Sequence, residues 1–236
     1  MNSPTRRTVI SDSLGVGIAT GTYGLSFGAV GVASGLDVAQ TCVLSLLMFT
    51  GASQFALVGV LGSGGTPLAG ALSALLLGTR NTLYGLRLAP LLGYRGWRRL
   101  TASHVLIDES TAMAVTRPTR DLARTGFLTT GVTIFVLWNL TTFVGAVAGE
   151  QIGDPRDLGL DAAVGAAFLA LLWPRLTTTT MRVTALLAAL VAAGAVTVTP
   201  AGVPVLIAAG VALLVGALTS TAPPADGADE LDRDAR

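Results

Sequence analysis

Residues 38–79 read VAQTCVLSLLMFTGASQFALVGVLGSGGTPLAGALSALLLGT, forty-two positions without one Asp, Glu, Lys or Arg. A bilayer crossing takes about 20 apolar residues, so this stretch alone is long enough to cross twice. Its first half is interrupted by Gly51-Ala52-Ser53-Gln54, small and polar residues in the middle of an apolar run. Working outward, charge-free stretches recur at Ser13–Leu36, Gly126–Gly149 and Val183–Ala225. Of the 236 residues, 51% are apolar and 12% charged, about half the charged share of a soluble domain. Mean hydropathy is +0.67. These values exclude a soluble enzyme, a disordered chain and a nucleic-acid binder. They leave an all-α polytopic membrane protein whose main partner is the lipid bilayer.

Apolar segments run over 13–35, 39–62, 67–92, 126–148, 159–174, 183–198 and 202–218, and a shorter segment with a polar centre covers 103–116. Loops are short, so residues 13–218 read as one transmembrane domain. Residues 1–12 precede it, and 219–236 form an acidic tail with seven charges in its last eleven positions, expected to be disordered. All basic residues are Arg, clustered at Arg6/Arg7, Arg95/Arg98/Arg99, Arg117/Arg120/Arg124 and Arg175/Arg182. Positive charge marks the cytoplasmic side. Both termini and the loops 95–102, 117–125 and 175–182 are therefore expected inside, with the acidic loop Glu150–Asp157 outside. This parity leaves two segments that dip in and return. Segment 103–116 is one, too short at about 21 Å for a ~30 Å hydrocarbon core. Segment 39–62, broken at Gly51–Gln54, is the other. The expected architecture is about six full spans plus two re-entrant or short helices, with eight short helices as the alternative.

Gly17, Gly21, Gly24, Gly28, Gly31 and Gly35 follow at spacings of 4, 3, 4, 3 and 4. On a helix they form one stripe against which another backbone packs closely. The single Cys42 and single His104 exclude zinc, haem and iron–sulfur spacings, so no metal and no cofactor is expected.

Arg80 lies near the middle of segment 67–92, where burial costs at least about 2.5 kcal/mol unless a polar cavity or partner receives it. Ser73, Arg80, Tyr84 and Arg87 share its helix face, and Asn81 lies beside that face. The guanidinium fork suits a carboxylate, supplied either by a substrate or by Asp108 or Glu109. His104, Asp108 and Glu109 stand together in the short polar segment; His104 and Asp108 are four apart and share a face if the segment is one helix. Carboxylates and His at membrane depth are what proton relays are built from. Gly51, Ala52, Ser53 and Gln54 suit an unwound backbone that binds a ligand's charged groups. Asn139, Thr141 and Thr142, beside Trp138, read as hydrogen-bonding glue between helices.

Tyr23-Gly24-Leu25-Ser26-Phe27-Gly28 resembles the opening motif of the AzlC-type permeases, the large subunits of bacterial two-component branched-chain amino-acid exporters. Phe49-Thr50-Gly51-Ala52-Ser53-Gln54-Phe55 is similar to that family's strongest signature. The match continues through Arg80-Asn81-Thr82-Leu83-Tyr84-Gly85-Leu86-Arg87-Leu88-Ala89-Pro90 and through Ile107-Asp108-Glu109-Ser110 after Arg98-Arg99-Leu100. Order and spacing agree over residues 15–150. The chain departs from the family at Gly78 and Asn81, where Asn and His are common.

The resemblance implies a permease subunit, not an enzyme, in the bacterial inner membrane. Its substrates would be Val, Leu and Ile, with Met as a further candidate, exported by proton antiport. Its partner would be a small hydrophobic membrane subunit of about four helices. Substrate binding would fall to Gly51, Ala52, Ser53, Gln54, Arg80, Asn81 and Tyr84, and proton coupling to His104 with Asp108 or Glu109. Two other classes were weighed. A channel would use Gly51–Gln54 as a constriction. An intramembrane serine hydrolase would use Ser53 with His104 as base, but no third residue orients the His.

Overall fold

A computed structural model of the chain describes residues 5–151, 169, 172–173, 176–200 and 202–219. Every regular element among them is a helix. Three are long and apolar enough to cross a membrane: Arg6–Ala33, Arg120–Gln151 and Thr179–Val196. Shorter apolar helices cover Val38–Leu47, Ala52–Gly62 and Val203–Thr219. The apolar segment 159–174, most of the acidic loop and the acidic tail fall almost wholly outside the described residues.

Two compact units are present. In the first, α1 (Arg6–Gly21) and α2 (Gly24–Ala33) run on from one another. Thr22 and Tyr23 between them keep helical angles, and the Tyr23 and Leu25 N–H groups donate to Thr20 and Thr22 three residues back, a tightened turn rather than a break. The stripe expected on this helix packs at five of its six glycines. A Cβ on Gly24 or Gly28 would run into the backbone of Trp138 or Thr142 on α8 (Arg120–Gln151), and one on Gly145 would run into Leu25. With small residues on both sides the two backbones approach without an intervening layer of side chains. Gly35 departs from the expectation. Its φ of +93° ends α2, with Leu36 N–H donating to Gly31 and Gly35 N–H to Val32.

Helices α3 (Val38–Leu47) and α4 (Ala52–Gly62) are the halves of the interrupted segment, and α5 (Pro67–Leu92) is continuous. The Thr66 hydroxyl caps α5 at Ala69 N–H, Pro67 opens it, and Gly93 at φ +62° closes it. Pro90 sits inside its last turn. The last carbonyls take their donors from α8: Arg120 donates to Pro90 and Leu91, and Arg124 to Leu92. Along α5, Ser73 is buried, Arg80 and Tyr84 half-buried and Arg87 exposed, so the polar line runs from core to surface. Helices α6 (Trp97–His104) and α7 (Asp108–Val115) follow.

α8, about 48 Å long, packs against α1, α2, α3, α5 and α7. Threonines bridge it as expected: Thr141 donates to Gly21 at 2.7 Å, and Thr142 meets Ser45 at 3.4 Å. Asn139 instead donates within its own helix, to Phe135. In the second unit, α9 (Thr179–Val196) and α10 (Val203–Thr219) pack on each other. Thr178 caps α9 at Met181 N–H.

Candidate functional site

The first break lies at Met48–Gly51. Gly51 has φ +65° and ψ −91°, a conformation open in practice only to glycine. The loose ends are tied by Gln54, which is fully buried. Its side-chain oxygen accepts Gly51 N–H at 3.1 Å, and its amide donates to Leu44 carbonyl at the end of α3 at 3.5 Å. Gln54 is thus the clamp of the break. The first turn of α4 carries no acidic residue, so its positive end is uncompensated by its own sequence.

The second break lies at Val105–Ile107, inside segment 103–116, so the condition under which His104 and Asp108 would share a face, one unbroken helix, is not met. His104 ends α6 and Asp108 begins α7, so they are not successive turns of one face. Ile107 is extended. Ser110 is the clamp: its hydroxyl accepts Ile107 N–H at 3.0 Å and reaches Val105 carbonyl at 2.8 Å as donor. His104 turns to the first break, its Nε2–H donating to Leu46 carbonyl at 2.9 Å, and its ring lies edge-on to Phe135. The carbonyl ends of α3 and α6 are therefore joined by one side chain.

The amino ends of α4 and α7 border one cavity of about 250 Å³. Gly51, Ala52 and Thr50 line it from the first break, Ile107, Asp108 and Glu109 from the second. Arg80 reaches it from α5, and Tyr23 and Thr20 from the α1–α2 helix. Phe49, Ile134 and Trp138 supply apolar walls. Behind them Phe27, Phe55 and Trp138 form an aromatic cluster with ring centroids 5.5–6.3 Å apart. Arg80 Nη1 meets Asp108 Oδ2 at 2.9 Å, with side chains 27% and 18% exposed. The pair is partly buried, so losing one member costs more than a surface pair would. Three buried polar atoms on the lining residues find no hydrogen-bond partner among the described residues: Arg80 Nε, Thr50 Oγ1 and Trp138 Nε1. Each of these atoms is enclosed in the wall and has essentially no surface open to the cavity, so the cavity's own polar surface is supplied by other atoms of its lining.

The cavity gathers Gly51, Ala52, Arg80, Asp108 and Glu109 from the residues singled out in the sequence. Ser53 and Gln54 lie buried behind it. Asn81 faces a second cavity, and Tyr84 and His104 line neither. Tyr23, Thr50 and Trp138 were not foreseen as site residues, although the first two stand in the motifs quoted above. The sequence profile described as AzlC protein matches residues 15–152, more than half of the chain and every element of the cavity from Thr20 to Trp138. The chain belongs to the AzlC family. The AzlC family is one of membrane transport proteins, and the apolar helices of this member are those of a membrane protein. No curated protein and no solved structure matches this AzlC-family chain. Among the described residues no cluster of His, Cys, Asp or Glu is placed to hold a metal ion.

Proposed function

We propose that the chain is the large permease subunit of a secondary transporter that exports branched-chain amino acids by proton antiport. It works in the bacterial inner membrane with a small hydrophobic partner subunit, crosses six times, and keeps both termini in the cytoplasm. The observation that carries this reading is the unlike chemistry of the two helix ends at one cavity. The amino end of α4 has no acid of its own, and the amino end of α7 carries Asp108 and Glu109. A zwitterion matches both: its carboxylate faces Gly51 and Ala52 at the amino end of α4, and its ammonium faces the acids. Phe49, Ile134 and Trp138 receive an aliphatic side chain.

The Arg80–Asp108 pair supplies the coupling. A proton on the α7 acids weakens their hold on both Arg80 and the ammonium, so proton entry favours amino-acid exit. Asp108 and Glu109 are the coupling acids; Gly51, Ala52 and Arg80 contact the substrate; Ser53, Gln54, Asn81 and Tyr84 support that wall; His104 joins the two breaks next to the acids.

The test is efflux of labelled Leu from proteoliposomes holding the chain and its co-expressed small subunit, under an imposed proton gradient. Unlabelled Val and Ile should compete, and Glu and Arg should not. Arg80→Lys should lower efflux at least about thirtyfold, a loss of about 2 kcal/mol, because an ammonium concentrates its donors on one atom and cannot reproduce the planar fork that meets Asp108 from one nitrogen and the cavity from another. Asp108→Asn or Glu109→Gln should abolish gradient-driven efflux while Leu–Leu exchange persists at a higher substrate concentration, because the ammonium loses one of two acids. Wild-type efflux in Arg80→Lys, or a gradient response kept in both acid variants, sinks the mechanism. Failure of Val and Ile to compete sinks the substrate class.

A further inference from the structure

A second cavity of about 400 Å³ runs beside α5 between α6 and α8. Its lining extends along α5 from Asn81 to Leu92, a stretch of twelve residues whose ends lie about 16 Å apart along the helix. The middle is apolar, with Leu88, Leu106 and Phe127. One end is different in kind, being lined by Tyr94 and Arg99. Arg124 lies over the Tyr94 ring at 5.2 Å, and with Arg120 it closes on Gly93. Burial raises the Tyr94 phenol above its ordinary range, with Arg124 and Arg98 pulling the other way. Arg98, Arg99, Arg120 and Arg124 make no ion pair with a carboxylate among the described residues, where the two pairs are Arg80–Asp108 and Arg117–Asp12. The adjoining Trp97 is 76% exposed, an indole where a membrane interface would hold it.

We propose that this groove binds one anionic glycerophospholipid, its phosphate among Arg98, Arg99 and Arg124 and an acyl chain along α5 toward Asn81. Charge complementarity selects the occupant. A zwitterionic lipid fills the apolar length but leaves the arginines uncompensated, and a free phosphate satisfies the arginines but leaves the groove empty. A peptide helix is too wide for a channel of this volume, since a helix with its side chains is about 10 Å across. Basic pockets between helices on the cytoplasmic side are known hosts for such headgroups. The site is separate from the transport cavity: the two share no lining residue.

Gly85 gives a way to block the chain without touching the charges. A Cβ there has only Leu106 near, at 4.0 Å, so a larger side chain enters the groove instead of the protein. The experiment is native mass spectrometry of the purified full chain titrated with phosphatidylglycerol or phosphatidylcholine of identical acyl chains, with inorganic phosphate as a third arm. Phosphatidylglycerol should be retained at least about fivefold more strongly than phosphatidylcholine, as for one Arg near a lipid surface worth about 1 kcal/mol. Arg99→Gln should erase most of that preference. Gly85→Leu should remove both lipids while the protein unfolds at an unchanged temperature. Equal retention of the two lipids, displacement of phosphatidylglycerol by millimolar phosphate, or full retention in Gly85→Leu would each overturn the proposal.

Discussion

The two broken helices solve one problem with different chemistry. Each interrupts an apolar segment, and each is clamped by the third residue of its second half, Gln54 in α4 and Ser110 in α7. In both, that side chain accepts an N–H from the residue before the helix and reaches back to an upstream carbonyl, Leu44 within α3 and Val105 just past the end of α6. The differences lie in reach and charge. Gln54 spans ten residues to Leu44 across a glycine at positive φ, whereas Ser110 spans five to Val105 across an extended Ile107. The first leaves its helix end bare for a ligand, and the second fills it with two acids. A shared clamp thus yields two unlike electrostatic ends, and the unlikeness is what gives the cavity a direction.

The comparison breaks most severely at Gly51. Gly51→Ala places a Cβ on a backbone at φ +65° and ψ −91°, a strain of up to about 3 kcal/mol. Thermal unfolding in detergent should shift well below the wild type, and efflux should be lost. The second break has no such point, since no residue other than glycine has positive φ among the described residues. An Ala variant with normal stability would mean that Gly51 is not held in this conformation.

The clamps themselves come next. Gln54→Leu and Ser110→Ala each strand a buried N–H and should cost about 1–2 kcal/mol. Both should lower the unfolding temperature. Ser110→Ala should also change the pH dependence of efflux, because it loosens the turn that carries Asp108 and Glu109, while Gln54→Leu should weaken substrate affinity. Identical functional defects in the two variants would erase the division of labour.

The smallest effect is expected at His104. His104→Gln keeps a donor for Leu46 carbonyl, so efflux should stay within about twofold of wild type, a few tenths of a kcal/mol. If efflux lost its gradient dependence while exchange survived, His104 itself would be moving the proton.

Legibility in the sequence followed local chemistry. Segment 67–92 became α5 with the same ends, because Thr66-Pro67 and Gly93 are strong start and stop signals. The break near Gly51 was visible because small and polar residues interrupt an apolar run. The position of the break at Val105–Ile107 was not visible, because Val105, Leu106 and Ile107 carry no Gly or Pro to mark it, and so a shared face for His104 and Asp108 stayed conditional on one unbroken helix. In retrospect Asp108 and Glu109 ahead of Ser110 form an acidic first turn, the one local sign of a helix start. In the sequence Trp138 is only the neighbour of the hydrogen-bonding residues Asn139, Thr141 and Thr142. Only α8 crossing behind the first break brings its indole to the cavity, and no local pattern encodes that crossing.

The seam between α2 and α8 constrains something other than energy. Gly24 and Gly28 face the backbone of Trp138 and Thr142, and Gly31 faces Thr41. Inserting a single residue between Gly17 and Gly24 would rotate everything beyond it by about 100° and turn those glycines away together. Deleting one would do the same in the opposite sense. The interval from Gly17 to Gly31 is therefore a fixed ruler in the chain, and an insertion or deletion within it should not be tolerated. Residues between its glycines can change, but neither the glycines nor the number of residues between them can.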